Sequence, residues 1–550
     1  MDGINRLNHR PVRTPRTRRN HPLQIGTSFM PGLCVPLAAM PLFREDSMNG
    51  DVTVTVEMME THELLMNSTN LRVTAYFVPY QAFDRFDGSR DQLDRSYMGQ
   101  PKIDGGAVVP FFETQVAPAV GTNPILRAMG EHANAGDTVN TSFIEAYNQI
   151  INMRLTNRSP NLPKRTRLDT SLAPAFWLNS QWQHVVPDFD QAVIDGEVAL
   201  NIVNDKMPVR GIGFTDTAPA TLISSASLVR TASGDVVPAT SGTSNRWSSG
   251  GAAANTPALK MAEGAASVNY TDIWAQMQEG GLTVSLAEIA MAKKAQWFAK
   301  LRESYSGIED EYLIDMLMSG LSIPDQAMKR PILIADQTTK FRQAKRYASD
   351  YANMAESAVS GAASLSFTLA VPQQNVGGIV MIMAEALPDQ LFERQANPYL
   401  YATQVSQLPD ALRDELDVQK VDLVTNRQVD VTHATPAATF GYEPMNAKWN
   451  RWGPKLGGKF FRPATTGSND EVRQRLWAIE LANPVLGASF YLCPPIHLKP
   501  FLDTASDPFE ATVAGGAVIT GNTVFGGMLV ENTNLYAKVI AKNPTTQAKP

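Results

Sequence analysis

Between residues 51 and 57 the chain alternates without a break: Val52, Val54 and Val56 fall on one side, Thr53, Thr55 and Glu57 on the other. Side chains in a strand switch faces with a period of two, so this run is a half-buried β-strand and not an amphipathic helix. Residues 71–79 (LRVTAYFVP) read as a second strand, apolar on both faces toward its end, with the NSTN turn of residues 67–70 before it. The β pattern covers residues 31–79 and returns late in the chain. Residues 365–371, 378–387, 476–481 and 488–493 read as strands, and 524–530 with 535–540 as a terminal hairpin. Gly (37) and Pro (36) are spread along all 550 residues, which suits many turns between short strands.

Three segments carry helical spacing instead. Residues 142–157 place Phe143, Ile144, Tyr147, Ile150, Ile151 and Leu155 on one stripe, with Ser142 and Glu145 as a capping box and Ser159-Pro160 as the stop. Residues 285–304 start at Ser285 and Glu288, with a stripe through Leu286, Ile289, Ala290, Trp297, Phe298 and Leu301. Residues 306–319 start at Ser306 and Glu309, and Gly320 sits where a C′ glycine belongs. Residues 204–277 are rich in Ala, Ser, Thr and Gly and poor in large apolar side chains. Such a stretch cannot bury enough surface for a tight core of its own and reads as a long surface excursion. Strands at both ends with helices between them point to a mainly β protein: one sandwich, residues 23–550, whose loops have grown. The insertions are expected at roughly 80–203, 204–277, 278–360 (helical) and 388–474 (loops).

Charged residues are 19% of the chain, and the net charge is −6, so any contact with nucleic acid must be local. The first 22 residues are the clearest basic segment: Arg6, Arg10, Arg13, Arg16, Arg18 and Arg19 face a single acid, Asp2. Pro11, Pro15 and Pro22 forbid a continuous helix, so an extended arm is expected. It either neutralises phosphates or is a solvated tail. A second constellation spans residues 442–462. Lys448, Arg451, Lys455, Lys459 and Arg462 are interleaved with Trp449, Trp452, Phe460 and Phe461. Cations track a single strand's backbone while rings stack on its bases. The alternative reading has the tryptophans in a core and the cations at a subunit interface.

Other chemistry finds little support. Gly453 to Lys459 has the glycine and lysine spacing of a phosphate-binding loop, but Phe460 stands where the magnesium-holding hydroxyl belongs and Pro454 removes an amide donor. The seven histidines are scattered, with no His pair at helical spacing and no Cys pair beside one. Gly211-Ile212-Gly213 lacks the third glycine of a dinucleotide site, and no catalytic serine elbow occurs. No cofactor is expected. Cys34 and Cys493 suggest two buried free thiols. The N-terminus lacks the apolar core of an export signal. No stretch approaches the ~20 apolar residues of a membrane helix, so stable membrane insertion is not expected.

Several segments, taken in order, resemble the major capsid proteins of the Microviridae, particularly the gokushovirus-like branch. Thr14-Pro15-Arg16-Thr17, His21, Gly26-Thr27-Ser28-Phe29, Gly32 and Val35-Pro36 are similar to that family's opening motif. Ala75-Tyr76-Phe77-Val78-Pro79 resembles its Tyr-Phe-Val-Pro strand end, and Glu145-Ala146-Tyr147-Asn148 its Arg-Ala-Tyr-Asn helix. Ile323-Pro324-Asp325 through Lys329-Arg330-Pro331 resembles its Pro-Asp-to-Arg-Pro segment, and Phe440-Gly441-Tyr442-Glu443 its Phe-Gly-Tyr-Gln-Glu block. The likeness lapses at residues 204–277 and after His497, and the helix from Ser285 lacks the family's Gly-Gly-Thr-Arg-Tyr run.

The resemblance implies an eight-stranded antiparallel jelly roll with long, partly helical insertions. It implies a structural, non-enzymatic subunit that self-assembles into a small T=1 icosahedral shell around a circular single-stranded DNA genome. Residues 204–277 would form a surface protrusion contacting a host receptor. Arg10, Arg13, Arg16, Arg18 and Arg19 would lie on the DNA side or bridge subunits there, and the 448–462 loop would be DNA-facing or inter-subunit. Implied partners are further copies of the chain, the genomic DNA, a small basic DNA-packaging protein, an internal scaffolding protein and a minor pilot protein. The protein would reside in the virion after assembly in the bacterial cytoplasm. The competing expectations are a β-sandwich carbohydrate-active enzyme, which needs a carboxylate pair, and an adhesion protein.

Overall fold

The computed structural model describes residues 15–102, 105–159, 161–177, 182, 184–188, 328–346, 358–390, 392, 394–417, 419–451, 455–460, 475–477 and 483–526, with short pieces at 206–208, 228–230, 236–238, 274–276 and 294–298. The chain divides into two compact units, residues 1–193 with 321–550, and residues 194–320.

The sandwich of the first unit is built on ten of its described strands: β1 (Thr17–Phe29), β2 (Leu33–Leu42), β3 (Asp46–Thr61), β4 (Thr69–Pro79), β5 (Ala173–Pro174), β6 (Ile332–Lys340), β7 (Arg342–Arg346), β8 (Ala358–Gln374), β9 (Gly378–Pro388) and β10 (Phe509–Gly521). They form two five-stranded sheets, ordered β1-β10-β3-β8-β7 and β6-β4-β9-β2-β5, and every pairing is antiparallel. The pairings nest: β1 with β10, β2 with β9, β3 with β8 and β4 with β6. The protein is therefore mainly β and antiparallel, as expected.

The inward-facing positions of both sheets share one apolar core. Val52, Val54 and Val56 of β3 meet there with Leu369 of β8, Val513 of β10, Val73 of β4 and Ile382 of β9. The alternation read at residues 51–57 is the inside–outside alternation of β3. Its opposite face is polar: Thr53 and Ser366 share a hydrogen bond of 2.8 Å, Thr55 and Ser364 one of 3.1 Å, and Thr368 donates to Asp51 at 2.8 Å. The central strands β4 and β9 of the second sheet are buried on both faces. Tyr76 and Val78 of β4 and Ile379, Met381 and Met383 of β9 point away from the sandwich into a second apolar cluster. That cluster is roofed by the helix Ser142–Arg158, through Ile144, Tyr147, Ile150, Ile151 and Leu155.

Polar anchors fix this helix to the sheet. Tyr147 donates to the Cys34 carbonyl at 2.6 Å and accepts from the Ala173 amide at 2.8 Å. Arg154 pairs with Glu385 at 2.5 Å, and Glu385 lies directly opposite both Cys34 and Arg72 in the ladder. Arg72 in turn pairs with Asp336 at 2.5 Å. A row of alternating charge thus crosses the outward face of the second sheet. Cys34 and Cys493 are buried free thiols, as expected, and burial pushes both well above the ordinary thiol range.

Several expectations need correction. The basic arm ends earlier than Pro22: from Thr17 the chain is β1, an edge strand, where a proline is tolerated because one side of the ladder is unpaired. Ser142 and Glu145 form no capping box. Thr141 is the N-cap, and Glu145 is buried against Arg85 and the Thr141 hydroxyl. Leu476 and Trp477 are buried but lie outside any strand. The Asn67 side chain brackets the Trp477 backbone with two hydrogen bonds of 2.9 Å, and the indole packs edge-on to Phe501 at 4.9 Å. An apolar pair held by an asparagine plugs the core without needing a neighbouring strand. Ala488–Tyr491 is a helical turn, and residues 524–526 are not in a strand. Residues 478–482 and 527–550, including the expected terminal hairpin, lie outside the described residues. β10 went unread as a strand.

In the second unit, Lys206–Pro208 pairs with Trp274–Gln276 and Leu228–Arg230 with Val236–Pro238, both antiparallel. Residues 294–298 are helical, with Trp297 65% and Phe298 47% exposed. Those two side chains were expected on a buried stripe. The remainder of the expected 285–304 helix, and all of 306–319, lies outside the described residues.

Candidate nucleic-acid interface

The excursion between β9 and β10 carries the basic aromatic loop. A hairpin of Val421–Thr425 with Thr439–Pro444 leads into it. Asn446 turns the chain through a left-handed conformation (φ 63°), with its amide held by Asp422 at 3.1 Å, and Ala447–Asn450 forms one helical turn. Val186 and Tyr442 exchange backbone hydrogen bonds of 2.9 and 2.8 Å, which brings Trp182 to the loop. The segment from Arg394 is tied to the turn after the hairpin's first strand. Arg394 pairs with Asp430 at 3.1 Å, and the Ala396 amide donates to the Gln428 carbonyl at 3.2 Å.

These elements enclose a pocket of about 260 Å³. Its aromatic wall is Trp182, Tyr401 and Trp449, and Arg427, Lys448 and Arg451 stand around it. Gln395 Nε2, Gln428 Oε1 and Trp449 Nε1 are buried there without a hydrogen-bond partner among the described residues. Unpaired amides beside aromatic rings can hold a planar polar group, with its edge on the amides and its face on a ring. A nucleobase has that chemistry. No Asp or Glu is among the described residues that line the pocket.

The cations here are not all free for phosphate. Lys448 pairs with Asp422 at 3.1 Å. Arg451 pairs with buried Glu443 and lies over the Trp182 ring at 3.7 Å. Burial draws the Arg451 guanidinium down toward about 10. Lys455 is exposed, and Lys459 belongs to the turn Gly458–Phe460. Trp452 and Arg462 lie outside the described residues.

At the arm, Arg10 and Arg13 also lie outside the described residues. Arg16 donates to the Glu45 and Thr520 carbonyls, both at 2.9 Å. Arg19 pairs with buried Asp46 and lies over Phe43 at 4.5 Å. Both therefore fasten the start of β1 to the sandwich. Arg18 is exposed on a groove it shares with His21, Phe43 and Phe525, and it has no partner among the described residues.

Sequence reasoning found Lys448, Trp449 and Arg451 but missed Trp182, Gln395, Tyr401, Arg427 and Gln428. These reach the pocket through long-range ties such as Val186–Tyr442 and Arg394–Asp430, which no local pattern announces. Among the described residues no helix is long and apolar enough to cross a membrane, and no cluster of His, Cys, Asp and Glu is placed to hold a metal. In comparisons with known proteins, no family model and no curated protein matched this chain.

Proposed function

We propose that this chain is the structural subunit of a small icosahedral shell around single-stranded DNA, a major capsid protein of the Microviridae kind. The observation that carries the reading is the nested pairing. Eight strands, β1 to β4, β6 and β8 to β10, pair first with last and so inward, in sheets ordered β1-β10-β3-β8 and β6-β4-β9-β2. A long hairpin rolled on itself into two sheets would give this order, which supports a reading as a viral jelly roll. The co-linear sequence resemblance supports the same reading. A shell also needs large excursions for contacts between copies, and those of residues 80–331 and 389–508 connect strands of one compact sandwich.

In this reading the arm and the 448–462 loop touch DNA or a neighbouring subunit. Scaffolding, packaging and pilot proteins assist assembly, and residues 204–277 meet the host receptor. The purified protein, co-expressed with its virion partners, should sediment as uniform small icosahedral particles holding nuclease-protected single-stranded DNA. A chain that stays monomeric under those conditions would overturn the proposal. The arm is best tested by removing residues 1–15 only, because Arg16 and Arg19 hold β1 in place. Loss of DNA content with β1 intact is the expected result, and full DNA content would remove the arm from the DNA side. Limited proteolysis of intact particles should cut first within residues 204–277, and protection there would exclude an outer protrusion.

A further inference from the structure

A second cleft, of about 560 Å³, opens on the outward face of the second sheet, beside the C-terminal half of the Ser142–Arg158 helix. Arg72, Arg154, Arg158 and Arg330 all line it. Two of these charges are answered, Arg72 by Asp336 and Arg154 by Glu385. The other two have no carboxylate partner among the described residues. Arg330 is exposed, and Arg158 is half-buried over the Tyr491 ring at 4.9 Å. Burial holds the Arg158 guanidinium below its ordinary range, the condition of a cation that gains from an anion beside it.

Donors are left over as well. Arg154 Nη2 and Trp177 Nε1 are buried without a hydrogen-bond partner among the described residues, and both residues are more than nine-tenths buried. The opposite wall is apolar and partly aromatic: Tyr76, Phe176 and Leu333, the last 49% exposed.

We propose that this cleft is a binding site for a nucleoside phosphate, either a free nucleotide or one unit of a single strand. Two unanswered arginines match the charge of a phosphate, and guanidinium forks satisfy its oxygens with charge-assisted hydrogen bonds. A bare inorganic anion would leave the apolar wall unused, whereas a base or sugar covers it. The cleft volume falls in the usual range for small-molecule sites, roughly 300–1,000 Å³. The site shares none of its lining residues with the pocket at Trp449 and needs no shell assembly, so it can be tested on the unassembled full-length chain.

The experiment is calorimetric titration with thymidine monophosphate, with an oligothymidylate and with inorganic phosphate, on the wild-type chain and on Arg158→Gln and Arg330→Gln. Arg330 is exposed and has no partner to lose among the described residues, so its substitution should leave the fold intact, and circular dichroism checks both variants. Each substitution should weaken binding about tenfold, as expected for one lost charge-assisted contact, with inorganic phosphate the weaker ligand throughout. Mononucleotide binding lost in both variants identifies a free nucleotide as the ligand. Binding of the oligonucleotide alone, lost in the same variants, identifies a strand. Wild-type binding of neither, or binding that survives both substitutions, overturns the proposal, whether or not the chain forms shells.

Discussion

The two sheets of the sandwich share a core but differ in what their outward faces meet. On the first, Thr53, Thr55, Ser364, Ser366 and Thr368 form cross-strand hydrogen bonds at the surface. On the second, Met381 and Met383 are fully buried under the Ser142–Arg158 helix and its neighbours. Strands of one fold thus carry two sequence patterns, and the insertions decide which. The first sheet alternates because one of its faces is wet. In the second, β4 and β9 are nearly continuous apolar runs because both their faces are covered. The charged row of Asp336, Arg72, Glu385 and Arg154 stands out because it runs from a half-exposed pair at the sheet's edge to a buried pair under the helix.

That contrast can be broken most severely at Glu385. Glu385→Ala leaves Arg154 buried without its anion and should destabilise the protein by about 3–5 kcal/mol in chemical denaturation. A loss under about 1 kcal/mol would mean that water reaches the row. Met381→Ala opens a cavity on the covered face and should cost about 2–4 kcal/mol by the same measurement. Asp336 gives a pH-dependent effect. Its hydrogen bonds from Arg72 hold its carboxyl below the ordinary range. Its contribution is therefore complete above the unfolded value of about 4 and is lost as the pH falls through the lower folded value. Asp336→Asn should flatten the acid side of a stability–pH curve and lower stability at neutral pH. The smallest effect belongs to the wet face: Thr53→Ala should change stability by about 0.5 kcal/mol or less. If Thr53→Ala matched Met381→Ala, the first sheet's outer face would have to be covered too.

The same contrast explains what the sequence disclosed. β3 was legible because its alternation is strict, and β4 and β9 because uninterrupted apolar runs of that length are strands. β10 was not. Its buried positions Phe509, Ala511, Val513, Ala517 and Ile519 keep the period, but alanines and the Gly515-Gly516 pair dilute it. The first of these glycines is required there: at Gly515 (φ 146°) a Cβ would stand 2.3 Å from the Asp51 carbonyl oxygen. β1 read as an arm because an edge strand of the wet sheet buries only Leu23 and Phe29. The aromatic loop was visible as composition. Its pocket was not, because it is closed by residues as far apart as Trp182, Gln395 and Trp449. The arginine cleft was invisible for the same reason, with Arg72, Arg158 and Arg330 on three distant segments.

The place of β10 bears on how the chain is made. It lies between β1 and β3, and Arg16 of the entering chain bonds to Thr520 across 504 residues. On a ribosome β1 emerges long before β10, its partner among the described residues. For most of synthesis, then, two strand edges stand open in a half-built sheet, the arrangement most prone to pairing with the wrong chain. The relative contact order is correspondingly high, and closure of β10 into its slot should be the slow, late step of folding. The polar, arginine-bearing character of β1 is of the kind that discourages such mispairing at a waiting edge.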